Sequence, residues 1–228
     1  MNLNRAKSLL IITSLFVLNA CASLGIFSGA KNQFDQGMAF FNRGHYEEAI
    51  PHFEKATELD PDFADAYLYL GRSYLNLARW VQAIAPLRSA LRLSSDKSQM
   101  EIVSILVDAL FGAASSEVRK GNFQTSIGFL REALELQPQS ERAKNELFST
   151  LITFGGQLLS GGNVTQAITT FNEAIQLSPN DATGYLWLSK AFLKGGDYMK
   201  AYQSVKDAIQ IDPANKEVQS FFRELMRQ

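Results

Sequence analysis

Cysteine is almost absent from this sequence: Cys21 is the only one in 228 residues. A lone thiol forms no intramolecular disulfide, builds no four-cysteine zinc cage and has no CxxC partner. Histidine is nearly as scarce. His45 and His52 are the only two, GxxxxGK[ST] and HExxH are both missing, and no serine or carboxylate stands where a catalytic triad would need it. An enzyme is therefore not expected, nor a cofactor or a bound metal. Charge of one sign is lacking too, with a formal balance of −1, which removes the basic face that nucleic acid calls for. Only six prolines and a moderate charge content leave nothing that points to disorder.

The single cysteine is explained by its place. Arg5 and Lys7 give a basic start, Ser8 to Leu18 is an apolar run of 11 residues, and Asn19 and Ala20 follow. This is the three-part plan of a secretory signal. The run is too short for the about 20 residues that a membrane-spanning helix needs. Leu18-Asn19-Ala20-Cys21 resembles the lipobox of bacterial lipoproteins. That resemblance implies removal of residues 1–20, lipidation of Cys21 (thioether diacylglyceryl and an N-terminal acyl chain such as palmitate), and a stable membrane anchor, since two or more chains hold where one does not. Ala22, standing where an aspartate would favour inner-membrane retention, implies the inner leaflet of the outer membrane, facing the periplasm. The shortened chain carries 20 basic against 23 acidic residues, a charge of −3. Residues 21–31 read as the lipidated cysteine and a short tether.

Internal self-similarity dominates the remainder. Gly44, Ala78, Gly121, Gly162 and Gly196 each precede by two residues a large residue: Tyr46, Trp80, Phe123, Val164 and Tyr198. Ala49, Ala83, Ser126, Ala167 and Ala201 come three residues later, and Ala56, Ala90, Ala133, Ala174 and Ala208 seven later still. The copies close at Pro61, Ser95, Pro138, Pro179 and Pro213, where proline or serine stops a helix. The second copy reads Tyr67-x2-Leu70-Gly71-x2-Tyr74, with Leu87 at the large position of its second helix. This pattern resembles the tetratricopeptide repeat, a pair of antiparallel helices in which small residues let the helices approach and large ones fill the gaps.

The resemblance implies an all-α fold, an α-solenoid with a right-handed superhelix. Its five helix-turn-helix repeats cover roughly 30–63, 64–97, 98–140, 141–181 and 182–213 within a solenoid of residues 32–228. Val218, Phe221, Phe222, Leu225 and Met226 form one helical stripe, predicting a capping helix over 215–227. The closing residues are spaced 34, 43, 41 and 34 apart, so the first helices of repeats three and four should be longer by about two turns. The apolar stretch around Ile105 is either a docking ridge, for a partner or a second copy, or a surface that the two long helices cover between them. Asp108 and Glu101 argue against a membrane segment there. Gly155-Gly156, each costing about 1 kcal/mol in a helix relative to alanine, mark an expected bending point. Left-handed backbone is the expectation for the Gly161-Gly162 and Gly195-Gly196 turns.

Carried over residue by residue, the family's concave face consists of first-helix positions. These are Phe34, Met38, Phe41 and Asn42; Leu68, Arg72, Leu75 and Asn76; Phe111, Ser115, Val118 and Arg119; Ile152, Gly156, Leu159 and Ser160; and Leu186, Lys190, Leu193 and Lys194. They imply an apolar groove with positive spots, suited to an amphipathic, acidic protein or peptide client. Large residues also recur at several of these places for packing alone, and both readings stay open. Phe34 and Met38 stand where a carboxylate clamp would need lysine and asparagine. The combination resembles envelope-assembly lipoproteins such as the pilotins of type IV pili and the tight-adherence pilus lipoprotein. It implies an outer-membrane adaptor for pilus, secretion or outer-membrane protein assembly, with a tether for peptidoglycan enzymes as the alternative.

Overall fold

The computed structural model describes residues 28–227. The signal segment, Cys21 and most of the tether lie outside the described residues. Helix α1 is helical over 28–41, and is followed by α2 (Tyr46–Leu59), α3 (Ala64–Asn76), α4 (Trp80–Leu93), α5 (Asp96–Lys120), α6 (Phe123–Leu136), α7 (Glu141–Ser160), α8 (Val164–Leu177), α9 (Ala182–Lys194), α10 (Tyr198–Ile211) and α11 (Lys216–Leu225). No strand occurs among the described residues. The architecture is all-α, five helical hairpins and a terminal helix, as the repeat pattern implies. One boundary differs: residues 28–31 are already helical, because Ala30 is buried and Gly29 approaches Leu59 of α2.

Every hairpin closes in the same way. The residue at the turn is left-handed: Gly44, Gly121, Gly162 and Gly196 at φ between +79° and +83°, and Ala78 at +55°. In each case two backbone N–H groups reach back into the first helix, as in Gly44 to Phe41 (2.9 Å) and His45 to Phe40 (3.1 Å). This satisfies carbonyls that a helix end would otherwise leave open. Within the glycine pairs only the second member is left-handed, since Gly161 and Gly195 keep right-handed angles. The start of α11 is capped by Asn215, whose side chain accepts from the Glu217 and Val218 amides at 3.1 Å.

Contacts gather the chain into two compact units that meet in sequence inside α5, one up to Gly112 and one from Ala113. In the first unit a small first-helix residue faces a large residue sixteen positions later. A Cβ on Gly37 would stand 2.7 Å from the Phe53 ring, and one on Gly71 2.6 Å from Leu87. Gly112 is likewise filled by Trp80, at 2.3 Å. The second unit repeats the device with Gly155 against Phe171, at 2.4 Å. At the fifth hairpin Ser189 takes the same place and its hydroxyl donates to the Ala201 carbonyl at 2.5 Å. At the glycines such closeness follows from the absent Cβ and sets the helix separation.

The long helices are 25 and 20 residues, against 13 for α3 and α9. Along α5 the side chains of Ile102, Leu106, Val107, Leu110 and Phe111 are buried and Ile105 is half-buried. The apolar stretch is therefore core, and of its large side chains Met100 is the one prominently exposed, at 82%. In the second unit the first helices α7 and α9 touch directly. Val218 and Leu225 of α11 are buried against α9 and α10, with Phe221 and Phe222 packed beside them, whereas Met226 leaves the stripe and is exposed.

Candidate partner-binding site

In the first unit the expected surface residues divide into packed and accessible. Phe34 lies in a ring cluster, with centroids 5.7 Å from Phe53, 4.9 Å from Phe63 and 5.7 Å from Tyr69. Phe41 meets Tyr46 and Tyr69 at 5.2 Å each, and Met38 packs against the same core. These residues join α1 to α2 and α3, an interaction that edge-to-face and tilted rings favour. Leu68 and Phe111 are buried. They belong to the interior and correct the expectation that they line a groove. Leu75 is half-buried and Asn76 exposed, the latter donating to the Arg72 carbonyl at 2.8 Å.

In the second unit Leu159 and Leu186 are core residues for the same reason, at 7% and 2% exposure. Val118, Ile152 and Leu193 are half-buried and remain reachable, and Arg119 is exposed. Gly156 lies in ordinary contact with Trp187, at 3.5 Å. Trp187 was not singled out in the sequence, although its indole stacks on Phe171 with centroids 5.8 Å apart. Its spacing three residues ahead of Lys190 is the signal that would have found it.

The positive spots are largely spoken for. Arg72 pairs with Glu101 of α5 and lies over the Tyr69 ring. Lys190 meets Glu217 of α11 at 2.8 Å and sits 4.6 Å from the Trp187 ring centre. Lys194 donates to the Leu159 carbonyl at 2.6 Å, near the end of α7. Arg119 is engaged differently, donating to the neutral Ser115 hydroxyl at 2.8 Å. An array of free cations along the first helices is therefore not what the side chains form.

Arg119 borders a recess of about 240 Å³ between the end of α5, α6 and α7. Ala114, Val118 and Leu130 supply apolar walls, and Ser126, Glu146 and Thr150 supply polar groups. Of these polar groups, none was expected from the sequence. Ser126 had a visible signal: it replaces the alanine that the other four hairpins carry at that place.

Neither histidine is among the residues that line this recess. His52 stacks on Phe40 with centroids 5.4 Å apart and meets Gln33 at 2.9 Å, while His45 lies 3.5 Å from Glu48. Titration shifts occur at structural positions. Burial and the hydrogen bond it donates to Glu54 push the Tyr74 phenol up to about 12. Hydrogen bonds from Lys120 and Asn122 hold Glu117 below the usual carboxylate range, and bonds from Lys200 do the same for Asp197, which caps α10. No group of three or more metal-ligating side chains occurs among the described residues.

Comparison with known proteins agrees with this construction. Models described as tetratricopeptide repeat match residues 34–98 and 182–215, and one described as TPR repeat matches 155–196, together more than half of the chain. The BBSome complex member BBS4 homolog of Drosophila melanogaster is 25% identical over 78% of this chain and 36% of its own length. Superkiller protein 3 of Schizosaccharomyces pombe is also 25% identical, over 87% of this chain and 14% of its own. The chain thus spans well under half of these relatives. The solved structure of a TPR repeats protein from Bacteroides fragilis superposes with a TM-score of 0.62 at 13% identity, covering 87% of this chain and 98% of that one. Family models, repeat packing and turn geometry converge, and the chain belongs to the tetratricopeptide-repeat proteins.

Proposed function

We propose that this protein is a non-catalytic adaptor that docks a protein or peptide segment on its first-helix faces, tethered by a lipidated Cys21 to the periplasmic side of a bacterial outer membrane and serving assembly of an envelope complex. Protein binding is the common work of the repeat family. The observation that carries the reading is the half-buried apolar series Val118, Ile152 and Leu193 on the successive first helices of the second unit, with a recess beside Val118. Apolar atoms that are only half covered gain by further burial, about 25 cal/mol per Å². A helix or extended segment laying an apolar edge on such a surface is a recurrent recognition mode. The anchor rests on the lipobox-like Leu18-Asn19-Ala20-Cys21.

In-cell photo-crosslinking from Val118, with exposed Gln82 on α4 as control, tests the docking. The expected product forms from Val118 only and disappears when Leu193→Glu is added to a chain whose circular dichroism is unchanged. Identical products from both positions would overturn the reading. Cys21→Ser is expected to abolish palmitate labelling and release the protein from the membrane fraction. Retained labelling would overturn the anchor.

A further inference from the structure

Seven polar or charged residues among the described ones are buried: Ser73, Glu117, Ser126, Thr150, Thr170, Ser189 and Ser204. The hydroxyls of Ser73, Thr150, Thr170 and Ser204 donate to the carbonyl four residues back, and that of Ser189 to Ala201. Ser126, fully buried, is the one side chain among the described residues whose buried Oγ has no hydrogen-bond partner. An unmade buried hydrogen bond is costly and calls for a reason. Packing supplies none, because Ala49, Ala83, Ala167 and Ala201 fill the equivalent place in the other hairpins and are equally buried. Ser126 also lines the recess beside Val118.

The other groups of that recess specify what would satisfy it. Arg119 brings one positive charge and Glu146 one negative. A charged occupant is therefore attracted by one and repelled by the other, and also bears its own desolvation. A neutral group able to donate and to accept meets no such conflict. Arg119 spends an N–H on Ser115, and the guanidinium carries five in all. Glu146 is held in place by Arg142, at 2.9 Å. Ala114, Val118 and Leu130 offer apolar wall to a short methylene stem. A primary amide on two methylenes answers each of these features.

Building on the docking reading above, we propose that this recess receives the side chain of a glutamine in the docked segment, its amide carbonyl accepting from Arg119 and its NH₂ group donating to Glu146 and the Ser126 hydroxyl. Ser126 then keeps a bond unmade in the free protein that it makes in the complex.

Panning random dodecapeptides on phage against the detergent-purified full-length protein, with Val118→Glu as the counter-target, tests this. The expected peptides share one glutamine and are not retained by Val118→Glu. Replacing that glutamine by glutamate or leucine in the synthetic peptide should weaken binding about fivefold or more, because hydrogen bonds to the charged Arg119 or Glu146 are lost. Ser126→Ala should raise the melting temperature, weaken the glutamine peptide by a similar factor and leave the leucine peptide unaffected. Enriched peptides that bind equally well with leucine or glutamate, yet are lost on Val118→Glu, would overturn the glutamine assignment and uphold the docking surface. Peptides retained equally by Val118→Glu, or no enrichment, would overturn both.

Discussion

Adjacent glycines in α7 offer a sharp test of how the hairpins are packed. Gly155→Ala and Gly156→Ala are identical changes in one continuous helix, and by helix propensity alone each should stabilise by about 1 kcal/mol. Their surroundings differ. A Cβ at Gly155 would lie 2.4, 2.8 and 2.9 Å from Cε1, Cζ and Cδ1 of Phe171, far inside the 3.5 to 4.0 Å at which carbons attract. Phe171 is fully buried and stacked on Trp187, so its ring yields only if that stack moves as well. Overpacking of this kind costs about 1–3 kcal/mol, and three overlapping ring atoms put Gly155→Ala toward the upper end. Less the propensity gain, the net loss should be about 1–2 kcal/mol. A Cβ at Gly156 meets Trp187 at 3.5 Å, a normal contact, so that variant should gain about 0.5–1 kcal/mol. Urea unfolding followed by far-UV circular dichroism measures both, and in a chain of this size each kcal/mol moves the melting point by about 2–4 °C. Two stabilising changes of equal size are what a mere bending point would give, and that result would refute the packing argument.

Ala78 holds the left-handed angle that the other four turns give to glycine. Since that region costs a non-glycine residue about 1–2 kcal/mol and glycine gives back part of it through unfolded-chain entropy, Ala78→Gly should stabilise by about 0.5–1 kcal/mol in the same assay. For Tyr74 the folded pKa is raised from 10.0 to about 12. Its contribution to stability is therefore complete below about pH 10 and is lost as pH rises through 12. Spectrophotometric titration should show a last-ionising phenol that Tyr74→Phe removes. Asp197 is shifted the opposite way, so its contribution is present above the ordinary carboxylate range and lost as pH falls through its lowered pKa. Asp197→Ala should lower the melting temperature at neutral pH, by an amount that vanishes in strong acid.

Most of the fold was legible because the repeat writes its packing into small and large residues at fixed spacing. Gly71 with Leu87, the excess length of α5 and α7, and the stripe of α11 all follow from that code. Other features follow from partners distant in sequence. Gly155 looks like a weak point until Phe171, sixteen residues on, is seen against it. Leu68, Phe111, Leu159 and Leu186 share their register with accessible residues, and periodicity alone does not separate the edge of a helix stripe from its centre. Pro51 and Pro86 lie inside α2 and α4, where a local rule would end the helix. Pro51 is exposed and Pro86 half-exposed, so water reaches the outer side where the missing bonds fall.

The expectation of an acidic partner rests on the cations, and their surroundings change it. Arg72 and Lys190 each receive a carboxylate from the next first helix or its terminal equivalent, Glu101 of α5 and Glu217 of α11. Glu101 lies in the opening turns by which α5 exceeds α3, so the added length itself supplies the neutralising group. Both glutamates are about two-thirds exposed, at 63% and 66%. Exposed pairs contribute about 0–1 kcal/mol, so their removal should leave the fold intact. What they change is the field that an incoming segment meets, lowering attraction for acids and leaving apolar fit to select the partner. Glu101→Gln combined with Glu217→Gln should therefore create binding of a fluorescent polyglutamate peptide at low salt, stronger by about fivefold per released cation and abolished as ionic strength rises. If the unaltered protein already binds polyglutamate as tightly as the double variant, the two glutamates do not screen the surface, and an acidic partner regains its footing.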